Sequence, residues 1–140
     1  MAKVKYKVGD IVMIPVSDDM FAYGRLLQDA SIAIYSFVSK GLVDVSRLES
    51  EEVLFDPGIF DTNIANGEWK IIGNIPFHDA DDSWPTPKYI QDVINPDKYR
   101  LYYKGDIQPA KKQDIEGLER QVLYRPEELI KEIKNRIVIS

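Results

Sequence analysis

Apolar residues near the N-terminus recur in the patterns that β-strands require. Residues Ile11 to Ile14 form a short continuous apolar run, entered by Gly9-Asp10 and closed by Pro15. Such a run predicts a strand covered on both faces. After the polar turn Ser17-Asp18-Asp19 comes FAYGRLLQ and then, across the tight connection Gln28-Asp29-Ala30, SIAIYSFV. Three sequential strands so closely spaced predict a meander. In the second, period-2 geometry puts the small residues Ala22 and Gly24 on one face and Phe21, Tyr23 and Leu27 on the other. Gly24 is therefore expected at a close backbone approach, a bend or a bulge. The third alternates Ile32, Ile34 and Val38 with Ala33, Tyr35 and Phe37, so both of its faces are expected to be covered.

Beyond the acidic segment RLESEEV, a further strand is expected over residues 53–60, interrupted by the turn signal Asp56-Pro57-Gly58. Asn66-Gly67 offers the positive-φ residues of a hairpin turn into EWKIIGN, where Trp69 and Ile71 alternate with Glu68 and Lys70. Residues 74–88, NIPFHDADDSWPTPK, carry little periodicity and predict a surface loop. YIQDV resumes as a strand, Asn95-Pro96-Asp97 turns, and YRLYY and IQPA flank Lys104-Gly105-Asp106 as a second hairpin.

The last element predicted is a helix over about residues 126–138. Pro126 suits its first position, and Glu127 and Glu128 fall in the first turn, where the helix dipole favours anions. Leu129, Ile130, Ile133 and Ile137 recur at helical spacing, with Glu127/Lys131 and Glu132/Arg136 as favourable i,i+4 pairs. Together these elements predict an α+β fold that is mostly β: a curved or barrel-like antiparallel sheet with one packed C-terminal helix. One domain over residues 1–140 is expected, β-rich over 7–124.

Charge narrows the partners. With 23 Asp and Glu against 18 Lys and Arg, the net charge of −5 opposes binding to a polyanion and favours a basic partner. With no cysteine, disulfides, thiolate catalysis and Cys-built zinc sites are excluded. No window approaches the about 20 apolar residues that cross a bilayer, and the start MAKVKYKVGD lacks a signal-peptide core, so a cytoplasmic location is expected.

Catalytic spacings are missing: the chain has no P-loop, no GxGxxG after a strand, no HExxH and no GxSxG. Carboxylates such as Asp10, Glu68 and Asp92 read as turn or surface residues, and neither catalysis nor a cofactor is expected. His78, Asp79, Asp81 and Asp82 share a loop that could in principle ligate a metal, but they lack a glycine-pinned calcium pattern and read as solvated side chains, so no metal is expected. Tyr99, Tyr102 and Tyr103 interleave with Lys98, Arg100 and Lys104, a combination that can bind single-stranded nucleic acid. Against the overall acidity, a cross-strand aromatic cluster is the better reading. Three acidic groups remain: Asp18-Asp19, Glu49 with Glu51-Glu52, and Asp79 with Asp81-Asp82. Each alone is an ordinary solvated loop. Together, with Trp84 as an aromatic anchor, they are the candidate surface for a basic protein partner.

The blocks KVGDIVMIPVSDDMFAYGRLL, EWKIIGNIPF, YIQDVINPDKYRLYYKGDIQPA and EGLER, in this order and spacing, resemble the immunity protein 26 family of bacterial polymorphic-toxin systems. The resemblance runs from Lys7 to Tyr124. It implies a mostly β protein, without catalytic activity, that binds and neutralises a cognate toxin domain; if that toxin is a basic nuclease, the acidic charge would speed the association. It brings no residue-level toxin site. Under it FAYGRLL is a scaffold strand, with Phe21 and Tyr23 in the core and Arg25 expected to pair with an acid, while specificity lies in loops and acidic edges. The alternative function is a small-barrel RNA-binding module or a ribonuclease-like toxin component, motivated by KVGDIV and the Tyr/Lys strand.

Overall fold

In the computed structural model, which describes residues 3–137, the N-terminal pattern becomes three antiparallel strands. They are β1 (Asp10–Pro15), β2 (Phe21–Leu27) and β3 (Ser31–Ser39). The chain continues through β4 (Val53–Phe55), β5 (Gly58–Ile59), a one-turn helix α1 (Thr62–Ala65), β6 (Lys70–Asn74) and β7 (Lys88–Gln91). It ends with β8 (Tyr99–Tyr103), β9 (Asp106–Ala110), β10 (Glu119–Arg120), β11 (Leu123–Tyr124) and α2 (Pro126–Arg136). The break expected at Asp56-Pro57 separates β4 from β5, and residues 75–87 are irregular apart from a 3-10 turn at Ala80–Ser83.

The strands form two sheets. The larger has the order β11-β5-β3-β2-β1-β6, with β4 also on β3; the smaller is β10-β7-β8-β9. Pairing is antiparallel except for two short parallel pairs, β11 with β5 and β10 with β7. The fold is thus α+β and mostly β, and its curved sheets do not close into a barrel among the described residues.

Both faces of the meander are buried. Val12, Ile14, Ala22, Leu26, Ile32 and Ile34 face one cluster, closed by Trp69 and by Leu129 and Ile133 of α2. Ile11, Tyr23 and Tyr35 face a second cluster with Leu48. Gly24 sits where a Cβ would lie 2.4 Å from Ile32 Cδ1, next to a shift in register between Ala22 and Gly24. Only glycine lets β2 approach β3 here. Tyr23 is fully buried, and its hydroxyl shares a hydrogen bond of 2.8 Å with Ser39 Oγ and donates to the Gly41 carbonyl at 2.9 Å.

Two local expectations change. Asn66-Gly67 does not make a hairpin: Asn66 caps α1 in the helical region, Gly67 at φ 83 lets the chain leave that helix, and β6 pairs with β1. Positive φ occurs at Gly67 but not at Asn66, and a distant strand outcompetes the local one. In α2, Glu132 bonds Arg136 at 2.8 Å, whereas Glu127 and Lys131 form no ion pair. Residue 138, where the helix was expected to end, lies outside the described residues.

Candidate functional site

Two segments cover the Tyr23/Tyr35 face. One is the 3-10 turn Val45–Leu48, whose Leu48 joins the second cluster and whose Val45 packs on Gly73 of β6. Asp44 starts it by accepting the Ser46 backbone N–H at 2.9 Å, and those bonds hold its carboxyl below the usual range. The other is the loop after β6. It is tied to β2 by Arg25, whose Nε and Nη2 donate to the Ile75 carbonyl at 2.9 and 2.6 Å, with Nη2 also donating to the Pro76 carbonyl at 2.8 Å.

Arg25 also lies over the Phe77 ring, 3.5 Å from its centroid, a close cation–π contact. The expected pairing of Arg25 with an acid is therefore corrected. Carbonyls at the start of an irregular loop have no strand partner, and the guanidinium fork satisfies them. Burial pushes the Arg25 pKa down, against the pull of Tyr35 and Asp82. Further along, Gln28 fixes the loop: its N–H donates to the Ser83 carbonyl at 2.8 Å and its Nε2 to Ser83 Oγ at 2.6 Å.

Between these segments opens a cleft of about 610 Å³. Arg25, Ala33 and Tyr35 come from the meander, Glu49 and Glu51 from the acidic stretch, and Phe77, His78, Asp82 and Trp84 from the loop. Two acidic groups far apart in sequence thus meet at one opening, with Trp84 beside them. Asp79 and Asp81 occupy the same loop turn: Asp79 accepts the Asp81 N–H at 3.0 Å, and Asp81 pairs with Lys104 of the β8–β9 turn at 2.6 Å. Glu52 is exposed next to Glu51, which pairs with Arg47. Asp18 and Asp19 stand apart, in the β1–β2 turn at the opposite end of β2 from Gln28.

Asp56 and Thr86 also line the cleft, and there Lys88 Nζ lies 2.6 Å from Asp56 Oδ1, with both Lys88 and Asp56 buried. Thr86 completes the cluster: its N–H donates to Asp56 Oδ2 at 2.6 Å and its hydroxyl to Oδ1 at 2.8 Å, while its own carbonyl accepts from Lys88 at 2.9 Å. Nothing in the local pattern marks this pair, which joins the small sheet to the large one. Among the described residues no group of three or more His, Asp or Glu side chains is placed to hold a metal ion, and no helix is long and apolar enough to cross a membrane.

The family model described as Immunity protein 26 matches residues 7–100 of the 140. The chain belongs to the immunity protein 26 family. Neither a curated protein nor a solved structure matches it. The family match gives this immunity protein its general role and contains every residue of the cleft, from Arg25 to Thr86. It stops inside β8, so β9, β10, β11 and α2 lie beyond it. Yet Leu129 and Ile133 of α2 are buried in the larger cluster, so part of the immunity protein's core comes from outside the matched segment.

The sequence marked Glu49, Glu51, Asp82 and Trp84 as candidate contacts but not Tyr35, Arg25 or Phe77, which line the same cleft. A strand tyrosine reads as core. Its second property, a hydroxyl reaching a surface opening, depends on which segment covers the sheet.

Proposed function

We propose that this immunity protein neutralises a cognate bacterial toxin domain in the cytoplasm by binding it one to one, without catalysis of its own. The contact surface is the cleft and the acidic rim around it: Glu49, Glu51, Glu52, Asp79, Asp81, Asp82 and Trp84. The observation that carries this reading is the meeting of Glu49 and Glu51 with Asp82 and Trp84 at one opening, in a chain of the immunity protein 26 family. Asp18 and Asp19 fall outside the surface.

An acidic face steers a basic partner, such as a nuclease domain, and speeds its docking. Trp84, half-buried at the opening, is the kind of aromatic anchor around which binding energy concentrates. The RNA-binding alternative has less behind it. Tyr99 packs edge-on against Tyr89 with centroids 6.4 Å apart, and Lys104 is engaged by Asp81.

Co-expression with the toxin domain encoded beside this gene tests the proposal. Survival of the cells and co-elution of a one-to-one complex are expected. Death of the cells, with no complex formed by a demonstrably active toxin, would overturn it. Reversing Asp79, Asp81 and Asp82 together should then slow association by about tenfold or more and flatten its salt dependence. Unchanged kinetics would remove that loop from the surface.

A further inference from the structure

Tyr35 lies at the base of the cleft and is only 4 % exposed, its ring packed among Ile11, Tyr23 and Leu48. Its hydroxyl opens onto the cleft and forms no hydrogen bond with any described residue. Although the ring is buried, the oxygen itself keeps access from the cleft, since no fully buried polar side-chain atom among the described residues lacks a partner. The neighbouring Tyr23 has two. A phenol with a packed ring and an accessible, unpaired oxygen offers a hydrogen-bond contact to a group that enters the cleft.

The charges around it indicate which group. Glu51 is engaged by Arg47, and Asp56 by Lys88. Among the described residues Glu49 and Asp82 have no side-chain hydrogen bond or ion pair. Glu49 acts electrostatically on Tyr35, and Asp82 on Arg25, so both carboxylates bear on the base of the cleft. Arg25 is the opposing charge, and much of its donor capacity is spent on the Ile75 and Pro76 carbonyls. An entering group therefore meets two free carboxylates, a phenolic oxygen able to accept, and the aromatic surface of Trp84.

We infer that the cleft is a socket for one arginine side chain of the partner, whose guanidinium donates to Glu49, Asp82 and the Tyr35 hydroxyl with Trp84 offering an aromatic face. Arginine fits better than lysine, because a planar fork with five donors can serve several acceptors while stacking on a ring. The same cleft already stacks one guanidinium, that of Arg25 on Phe77. The inference rests on the toxin-binding reading for the identity of the partner, but the socket itself can be tested without the toxin.

The probe is N-acetyl-arginine amide, titrated into the free protein while the Trp84 indole N–H is followed by NMR. Trp69, 2 % exposed in the core, is the internal reference. A saturable shift at Trp84 is expected, lost in Glu49→Gln/Asp82→Asn and weakened several-fold in Tyr35→Phe, which removes only the hydroxyl. The uncharged citrulline analogue should give no saturable shift. Equal shifts with citrulline, a preference for N-acetyl-glutamate amide, or no saturation with the arginine probe would each overturn the socket.

With the toxin in hand, Glu49→Gln and Tyr35→Phe should each raise the dissociation rate by about tenfold. If the variants neutralise and bind as tightly as the parent, the socket falls and the neutralisation stands. If the parent itself binds no toxin, that reading falls and the probe titration still decides the socket.

Discussion

In β2 of the large sheet five of seven positions are buried, while in β9 of the small sheet four of five are exposed. Both apolar clusters are built from the large sheet, the segments that cover it and α2, and neither takes a residue from β7, β8, β9 or β10. The small sheet is attached instead by polar links: Lys88 to Asp56, Lys104 to Asp81, and Glu119 to Arg136 of α2, each at 2.6 Å. Apolar burial is non-directional and sums over area, so the large sheet resists local change. Polar links depend on a few well-placed atoms. The cleft lies at the seam, with a floor from the large sheet and a wall from the loop that leads to the small one. That arrangement combines a rigid base with a rim open to variation, which suits a surface that must match one partner.

The largest expected effect comes from breaking the seam. Lys88→Met leaves Asp56 buried with Thr86 alone, and should cost about 3–5 kcal/mol in denaturant unfolding, with amides of the small sheet exchanging before those of β2. A loss under about 1 kcal/mol would mean that the small sheet is held by something other than this pair.

Within the large sheet, Gly24→Ala should cost about 1–3 kcal/mol, because the new methyl group must displace the fully buried Ile32. A neutral result would show more slack between β2 and β3 than close packing allows.

A smaller effect is readable through pH. The Tyr6 hydroxyl donates to Asp61 at the flank of the large sheet, and this bond, with burial, pushes its pKa from 10.0 up to about 12. Because the folded value is the higher one, the bond's contribution is complete below pH 10 and is lost as pH rises through 12. Burial also pushes the Tyr35 and Tyr124 hydroxyls up, so absorbance titration should show several late-ionising tyrosines, one of which disappears in Tyr6→Phe. Ionisation of Tyr6 together with the exposed tyrosines would remove the bond from the account.

The smallest effect belongs to the tip of the small sheet. Ile94 is 87 % exposed in a turn that Asp92 fixes by accepting the N–H groups of Ile94 and Asn95 at 2.8 and 2.9 Å. Ile94→Ser should change stability by less than about 0.5 kcal/mol by thermal or chemical unfolding. A larger loss would mean that the apolar tip packs on the protein and that the contrast between the sheets is overstated.

Much of this contrast was legible before any tertiary contact was known. The meander, the small-residue face of β2, the break at Asp56-Pro57, the Lys104-Gly105 hairpin and the stripe of α2 all follow from side-chain periods or turn chemistry, which act between residues two to four positions apart. The acidic groups and Trp84 could be named as candidates for the same reason, since charge and exposure are visible one residue at a time. The division into two sheets, the pairing of β6 with β1 in place of a hairpin at Gly67, and the use of Arg25 on carbonyls were not legible.

The sequence by itself therefore determined which segments become strands and helix, and which residues are available for contact. Only the tertiary structure decided that Glu49 and Asp82 line the same cleft as Tyr35 while Asp18 and Asp19 do not. Local preference is read from near neighbours along the chain, whereas that shared lining depends on where a returning loop crosses the sheet, and no period records it.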